Sequence, residues 1–150
     1  MQDKNFSLTL LADQSPGQVF KAVSNIREWW SGYYEEEITG KSDQLHDEFI
    51  FRAGGGAHYS KQKLIELIPN KKIVWQVIDS KLLFLENKEE WTGTRLVFEI
   101  STKGNKTQLV FTHEGLTPGV ECFNACSPAW RQYLQNKLSP LINDNKSTGS

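Results

Sequence analysis

Apolar positions change their period several times along this chain, and each change marks an element. Phe6, Leu8, Leu10 and Ala12 alternate with Ser7 and Thr9, the period of two that a half-buried strand requires. A helix start follows: Ser15 offers an N-cap, Pro16 suits a first turn because its missing N–H would be unpaired there, and Gln18 completes a capping box. Val19, Phe20, Val23 and Ile26 recur at helical spacing and the apolar run closes at Ser31-Gly32, so two short helical pieces are expected over 15–30. From Tyr33 onward, short runs rich in β-branched and aromatic residues are separated by turn residues, which predicts strands near 34–39, 47–53, 57–68, 71–79, 93–101 and 105–113. Gly104-Asn105-Lys106 joins the last two. Thr94, Leu96, Phe98 and Ile100 share one face of the first of these, and Leu109, Phe111 and His113 share one face of the second, as an antiparallel sheet with one buried face requires. Segment 80–91 fits no strand and is expected to form a mobile flap.

The last element spans about 120–142, where Phe123, Cys126, Trp130, Leu134, Leu138 and Leu141 form an apolar stripe. A helix of that length, roughly 35 Å at ~1.5 Å per residue, needs a broad partner. The buried face of the sheet is the candidate, and it must twist and curl to enclose the helix. The expected fold is therefore α+β: a curved antiparallel β-sheet wrapped around a long C-terminal α-helix, with two short helices after the first strand. A curled sheet and one helix rarely fill the volume between them, so a cavity is expected there. Pro128 lies inside the predicted helix, where proline removes a hydrogen bond and clashes with the preceding turn, so a break near Ser127 is expected.

Composition narrows the function classes. A chain of 150 residues is the size of one core, and residues 1–143 read as one domain followed by a polar, frayed tail at 144–150. Seventeen Lys and Arg balance 18 Asp and Glu without a basic run, which argues against a nucleic-acid partner. No stretch of ~18 apolar residues is present and the N-terminal residues do not read as a signal sequence, so a cytoplasmic location without membrane insertion is expected. Two cysteines are too few for a disulfide framework, and His46, His58 and His113 are too scattered to complete a zinc site, so neither metal nor cofactor is expected.

Six stretches in one order extend over nearly the whole chain: Ser15-Pro16 to Val19-Phe20, the paired Trp29 and Trp30, Glu66 to Trp75, Glu90 to Thr94, Phe111 to Leu116, and Cys126 to Trp130 and Leu134. Together they resemble the START-like, or Bet v 1-like (SRPBCC), superfamily, and within it the proteins named after the activator of heat-shock-protein-90 ATPase. The resemblance implies a helix-grip fold with an internal cavity. Proteins of this kind include carriers of hydrophobic ligands and polyketide cyclases or aromatases. It also implies chaperone contact as a possible role, although the activators use a separate N-terminal domain for much of that contact and this chain begins with the helix-grip portion.

The candidate ligand-binding residues are Trp29, Phe49, Phe51, Tyr59, Trp75, Phe84, Trp91, Phe98, Phe111, His113, Cys126 and Trp130, an aromatic-rich set around the expected cavity. His113, Tyr59 and Gln76 are expected to point hydrogen bonds inward. Cys122 and Cys126, one helical turn apart with parallel side-chain directions, read as free thiols, and Cys126 as a small buried hydrophobe. The glycines Gly54, Gly55 and Gly56 read as a hairpin, because neither the Lys-Ser/Thr nor the helix of a phosphate loop follows them. Glu35 to Glu37, Glu66, Glu89 and Glu90 read as surface charge. The leading expectation is a binder or carrier of a hydrophobic or aromatic small molecule, more a binding protein than an enzyme. The alternatives are a cyclase-like enzyme with His113 as acid/base, and a co-regulator of a chaperone ATPase. Oligomeric state is left open.

Overall fold

The computed structural model describes residues 5–148, with side chains through Asn143. Among these residues the strands are β1 (Phe6–Ala12), β2 (Glu37–Gly40), β3 (Glu48–Ala53), β4 (His58–Ile68), β5 (Lys72–Leu82), β6 (Arg95–Lys103) and β7 (Lys106–Glu114). The helices are α1 (Pro16–Ser24), α2 (Ile26–Trp29), α3 (Phe123–Tyr133) and α4 (Ser139–Thr148). A π-helical stretch, Leu134–Leu138, joins the last two. The expected polar tail at 144–150 falls partly on α4, and its side chains and last two residues lie outside the described residues.

Strands β2 to β7 form an antiparallel meander, and β1 pairs with β7 to give the order β1-β7-β6-β5-β4-β3-β2. The register stacks apolar residues across the sheet on one face: Leu8 opposite Phe111, Phe111 opposite Phe98, Leu96 opposite Trp75, and Trp75 opposite Leu64. Such facing pairs are what stabilises one register over its one-residue slip. Register shifts in β4 at Lys61/Gln62 and Leu64/Glu66 interrupt the β4–β5 ladder, and irregularities of this kind bend a strand and raise its twist. The resulting α+β architecture is the expected helix grip.

The Ser15 capping box forms in both directions, at 3.2 Å each way, and Pro16 occupies the first turn. Trp29 and Trp30, at the end of α2, carry the chain from the helical pair into the core: both are buried and stacked 5.8 Å apart. Trp29 also donates its indole N–H to the carbonyl of Val23.

Several expectations are corrected. The second strand starts at Glu37, not near 34, because the Glu36 carboxylate accepts from the backbone N–H groups of Gly32 and Tyr33 and turns the chain there. The strand expected to end at 79 continues to Leu82, since Ser80 and Leu82 maintain the inward alternation. Cys122 and Cys126 are joined in a disulfide, their Cα atoms 5.4 Å apart, within the span such a bond requires. Cys122 is the cap residue, and its ψ of −12° departs from the helical value of about −42°, so the turn that joins the two cysteines is not regular helix.

The expected break at Ser127 is also absent: α3 runs through Pro128. Pro128 and Asn124 are both exposed, so the Asn124 carbonyl that loses its helical partner faces solvent, where water replaces the bond at low cost. The irregularity falls instead at Leu134–Leu138. Replacing Pro128 with alanine restores a helical N–H on a solvated face and should raise stability by only about 1 kcal/mol, well under the ~3 kcal/mol of a buried helix interior. An unchanged denaturation midpoint would show that the helix already accommodates the proline without strain.

Candidate functional site

A cavity of about 270 Å³ lies between α3 and the β3–β4 end of the sheet. Helix α3 contributes Ala125, Cys126, Ala129, Trp130 and Tyr133, while Phe51, Ala53, Gly54, Ala57 and His58 come from β3, the glycine turn and the start of β4. Trp30 closes one side, and Phe84 and Trp91 come from the segment after β5. Tyr34 and Phe84 are 46% and 51% exposed and mark the mouth. The hollow has a simple sequence cause. Ala125 and Ala129, one turn apart on the helix, and Ala53 and Ala57, flanking the glycine turn, place small side chains among large rings that are already packed against one another.

Those rings are held by mutual contact. Trp91 and Trp130 are stacked with centroids 6.0 Å apart, and Trp30 lies on Phe51 at 4.1 Å. Trp130 also packs on Phe111 at 4.6 Å, which seats the helix on β7. Behind the wall, Tyr133 donates its phenol to Glu36. Burial raises the Glu36 carboxyl, but the bonds from Tyr133 and neighbouring amides outweigh it and hold the group below the usual carboxylate range. Burial, followed by the bond to Glu36, pushes the Tyr133 phenol upward, so it stays a donor.

The predicted residues separate by position. Phe51, Phe84, Trp91, Cys126 and Trp130 line the cavity. Trp29, Phe49, Trp75, Phe98 and Phe111 lie in the core beneath it, where their rings fill volume. Tyr59 and Gln76 are on the outer face, contrary to expectation: Tyr59 lies under the Arg52 guanidinium, and Gln76 pairs with Lys63 and Arg95. Sequence reasoning missed Trp30, Tyr34, His58, Tyr133 and the alanines. Counting back in twos from Leu64 through Gln62 and Ser60 reaches His58, so alternation along β4 could have found it.

His113 is fully buried and is absent from the cavity wall. Its Nδ1 lies 3.1 Å from the Trp130 indole nitrogen, which can only donate, so Nδ1 accepts and Nε2 carries the proton. That proton goes to Thr94 Oγ1 at 2.9 Å, and the Thr94 hydroxyl in turn donates to the carbonyl of Trp91 at 2.6 Å. Both ring nitrogens are therefore engaged, and an acid/base role toward a cavity ligand finds neither of them free. Burial, with the neighbouring His58 second, pushes His113 down to about 3, and burial alone pushes His58 down to about 3.

Segment 83–94 is tied to the helix by two carboxylates. Glu121 accepts from the amides of Glu86 and Asn87, and Glu90 accepts from those of Glu121 and Cys122 at 2.8 Å each. Glu90 thus supplies the acceptor that the start of α3 lacks in its own Cys122 side chain. Both glutamates, one of them read from sequence as surface charge, hold the Trp91-bearing segment over the cavity. The amides of Glu86 and Asn87 hold the exposed Glu121 carboxyl below its usual range.

Among the described residues no group of three or more His, Cys, Asp and Glu is placed to hold a metal ion, and no helix is long and apolar enough to cross a membrane. Residues 13–143 match the family described as "Activator of Hsp90 ATPase homolog 1-like protein". The chain belongs to this family. Among solved structures, the Aha1 dimer from Colwellia psychrerythraea is similar to this Hsp90-activator-like chain at 25% identity and a TM-score of 0.68, covering 89% of this chain and 92% of that one. A Chromobacterium violaceum protein shares the fold at 16% identity and a TM-score of 0.69, over 92% and 96% of the two chains. CalU16 from Micromonospora echinospora does so at 14% identity and 0.62, over 95% and 78%. None of the curated proteins compared matches the sequence.

Two outcomes follow for this Hsp90-activator-like chain. His58 and His113 stay neutral when folded but take up protons near pH 6.5 when unfolded, so the stability they permit is present above 6.5 and is lost as pH falls toward 3. Each should cost about 1.4 kcal/mol per pH unit in that window. Denaturant titrations between pH 6.5 and 5, above the carboxylate range, should give that slope, and His58→Leu should halve it; a flat profile contradicts the burial assignment. Glu90→Ala should cost about 1 kcal/mol, as loss of a helix cap does, and should speed amide exchange across 84–93. Unchanged exchange there would mean that the carboxylate does not hold the segment.

Proposed function

We propose that the protein is a cytoplasmic binder or carrier of a small, neutral, aromatic or otherwise hydrophobic molecule, held between the C-terminal helix and the sheet. The observation that carries this reading is a hollow walled by seven aromatic side chains and four alanines, with no charged side chain in its lining. Burying apolar area against such a wall contributes roughly 25 cal/mol per Å² before the cost of immobilising the ligand. The size limits the guest. At about 270 Å³ the cavity sits just under the roughly 300–1,000 Å³ usual for small-molecule sites, so it suits one or two fused rings and not a long acyl chain.

Catalysis is the weaker reading, since His113 is committed to Trp130 and Thr94. Family membership supports contact with a chaperone ATPase as a second reading. It is compatible with the first, because the cavity mouth at Tyr34 and Phe84 occupies a small part of the surface.

Ala129→Leu places a larger side chain in the wall. It should weaken binding of a neutral aminonaphthalene fluorophore at least tenfold while leaving the far-ultraviolet dichroism unchanged. Equal affinity in the variant would move the binding site elsewhere, and no binding by the wild type to any member of a panel of neutral aromatics would end the proposal.

A further inference from the structure

The wall of the cavity carries one polar group that the core does not consume. His58 opens β4, and its ring is held edge-on by Phe51 at 5.0 Å and Trp91 at 4.7 Å. Its Nε2 lies 3.2 Å from Ser60 Oγ, which also accepts from the side-chain amide of Gln62 at 2.8 Å. Ser60 and Gln62 are fully buried, so this is a polar line running along the inner face of β4 from beneath the sheet to the cavity. Nδ1 of His58 makes no hydrogen bond to another described residue, and it is not among the polar atoms sealed off from solvent or lumen. A ring nitrogen without a protein partner, on a side chain that lines an otherwise apolar cavity, points to a guest with hydrogen-bonding capacity.

We infer that the cavity selects neutral aromatic molecules bearing a hydroxyl group, with His58 as the polar anchor, a deepening that rests on the binding reading above. The hydroxyl is singled out by the relay behind the ring. Ser60 can donate to Nε2 or accept from it, so Nδ1 presents either a lone pair or an N–H. A hydroxyl matches both states, since it donates and accepts, whereas a carbonyl or an ether matches one. Charged guests are disfavoured on separate grounds. No Lys or Arg lines the wall to pair a carboxylate, and burying an unpaired charge is costly. An organic cation needs open ring faces, but Trp91 with Trp130 and Trp30 with Phe51 turn faces toward each other.

The test uses four probes of one size class at pH 7: naphthalene, 2-naphthol, 2-naphthoate and trimethylphenylammonium, titrated by tryptophan fluorescence against the full chain and His58→Leu. The wild type should bind 2-naphthol about tenfold more tightly than naphthalene, the scale of one net hydrogen bond, and His58→Leu should bind the two equally. In wild-type protein carrying ¹⁵N-labelled histidine, 2-naphthol should shift the His58 Nδ1 resonance and leave both His113 nitrogens in place, a readout that holds even if the variant does not fold. Equal binding of naphthol and naphthalene by the wild type overturns the anchor and leaves the cavity reading standing. Preference for the naphthoate or the ammonium overturns the neutral hydroxyl class. Binding of none of the four removes the cavity reading itself, and this inference with it.

Discussion

The hydrogen bond from the Trp130 indole to His113 is the contact through which the rest of the structure is organised. It crosses from α3 to β7, in the driest part of the molecule, and sets the tautomer of the imidazole. From there the chain of donors continues through Thr94 to the backbone of Trp91, so helix, sheet and covering segment are fixed relative to one another by three bonds in series. In a low-dielectric interior each of these is costly to leave unmade, which makes the arrangement specific as well as stabilising. The cavity wall inherits that rigidity. Trp130 and Trp91 are stacked nearly parallel, and each meets the His113 ring edge-on.

The two inward-facing histidines divide the polar labour of the site. His113 spends both nitrogens on structure, and His58 spends one. The difference arises from position: His113 lies on β7 between Phe6 of β1 and Leu96 of β6, under the Trp130 side of the helix, whereas His58 begins a strand beside a glycine turn, where the neighbouring residues are small. A helix-grip core with many large rings would normally close completely. Here Ala53, Ala57, Ala125 and Ala129 converge at one end of the helix and keep it open.

Covering the open end falls to segment 83–94, a run of turns closed by its own backbone bonds and joined to the sheet through Leu83 to Ala57 and Gly93 to Val77. Its attachment is electrostatic and directional, with carboxylates on each side accepting the other's backbone amides. The same region carries the disulfide between Cys122 and Cys126, so the start of the gripping helix is tied covalently as well as by Glu90.

Periodicity along the chain determined the order of the elements, the capping box at Ser15, the inward faces of β6 and β7, and the α+β architecture, because each of these depends on residues adjacent or alternating in sequence. It also determined that aromatic side chains would dominate the interior. Which of them line a cavity was decided by tertiary structure. Trp29 and Trp30 differ by one position, yet one faces the core and the other the hollow, and that depends on how α2 meets β3. The inward turn of Tyr133, the bond closing Cys122 on Cys126, the capture of α3 by Glu90 and the commitment of His113 all join residues distant in sequence or set by a local departure from regular geometry. Pattern alone cannot encode such contacts, because a period states which face a side chain takes and not what stands opposite it.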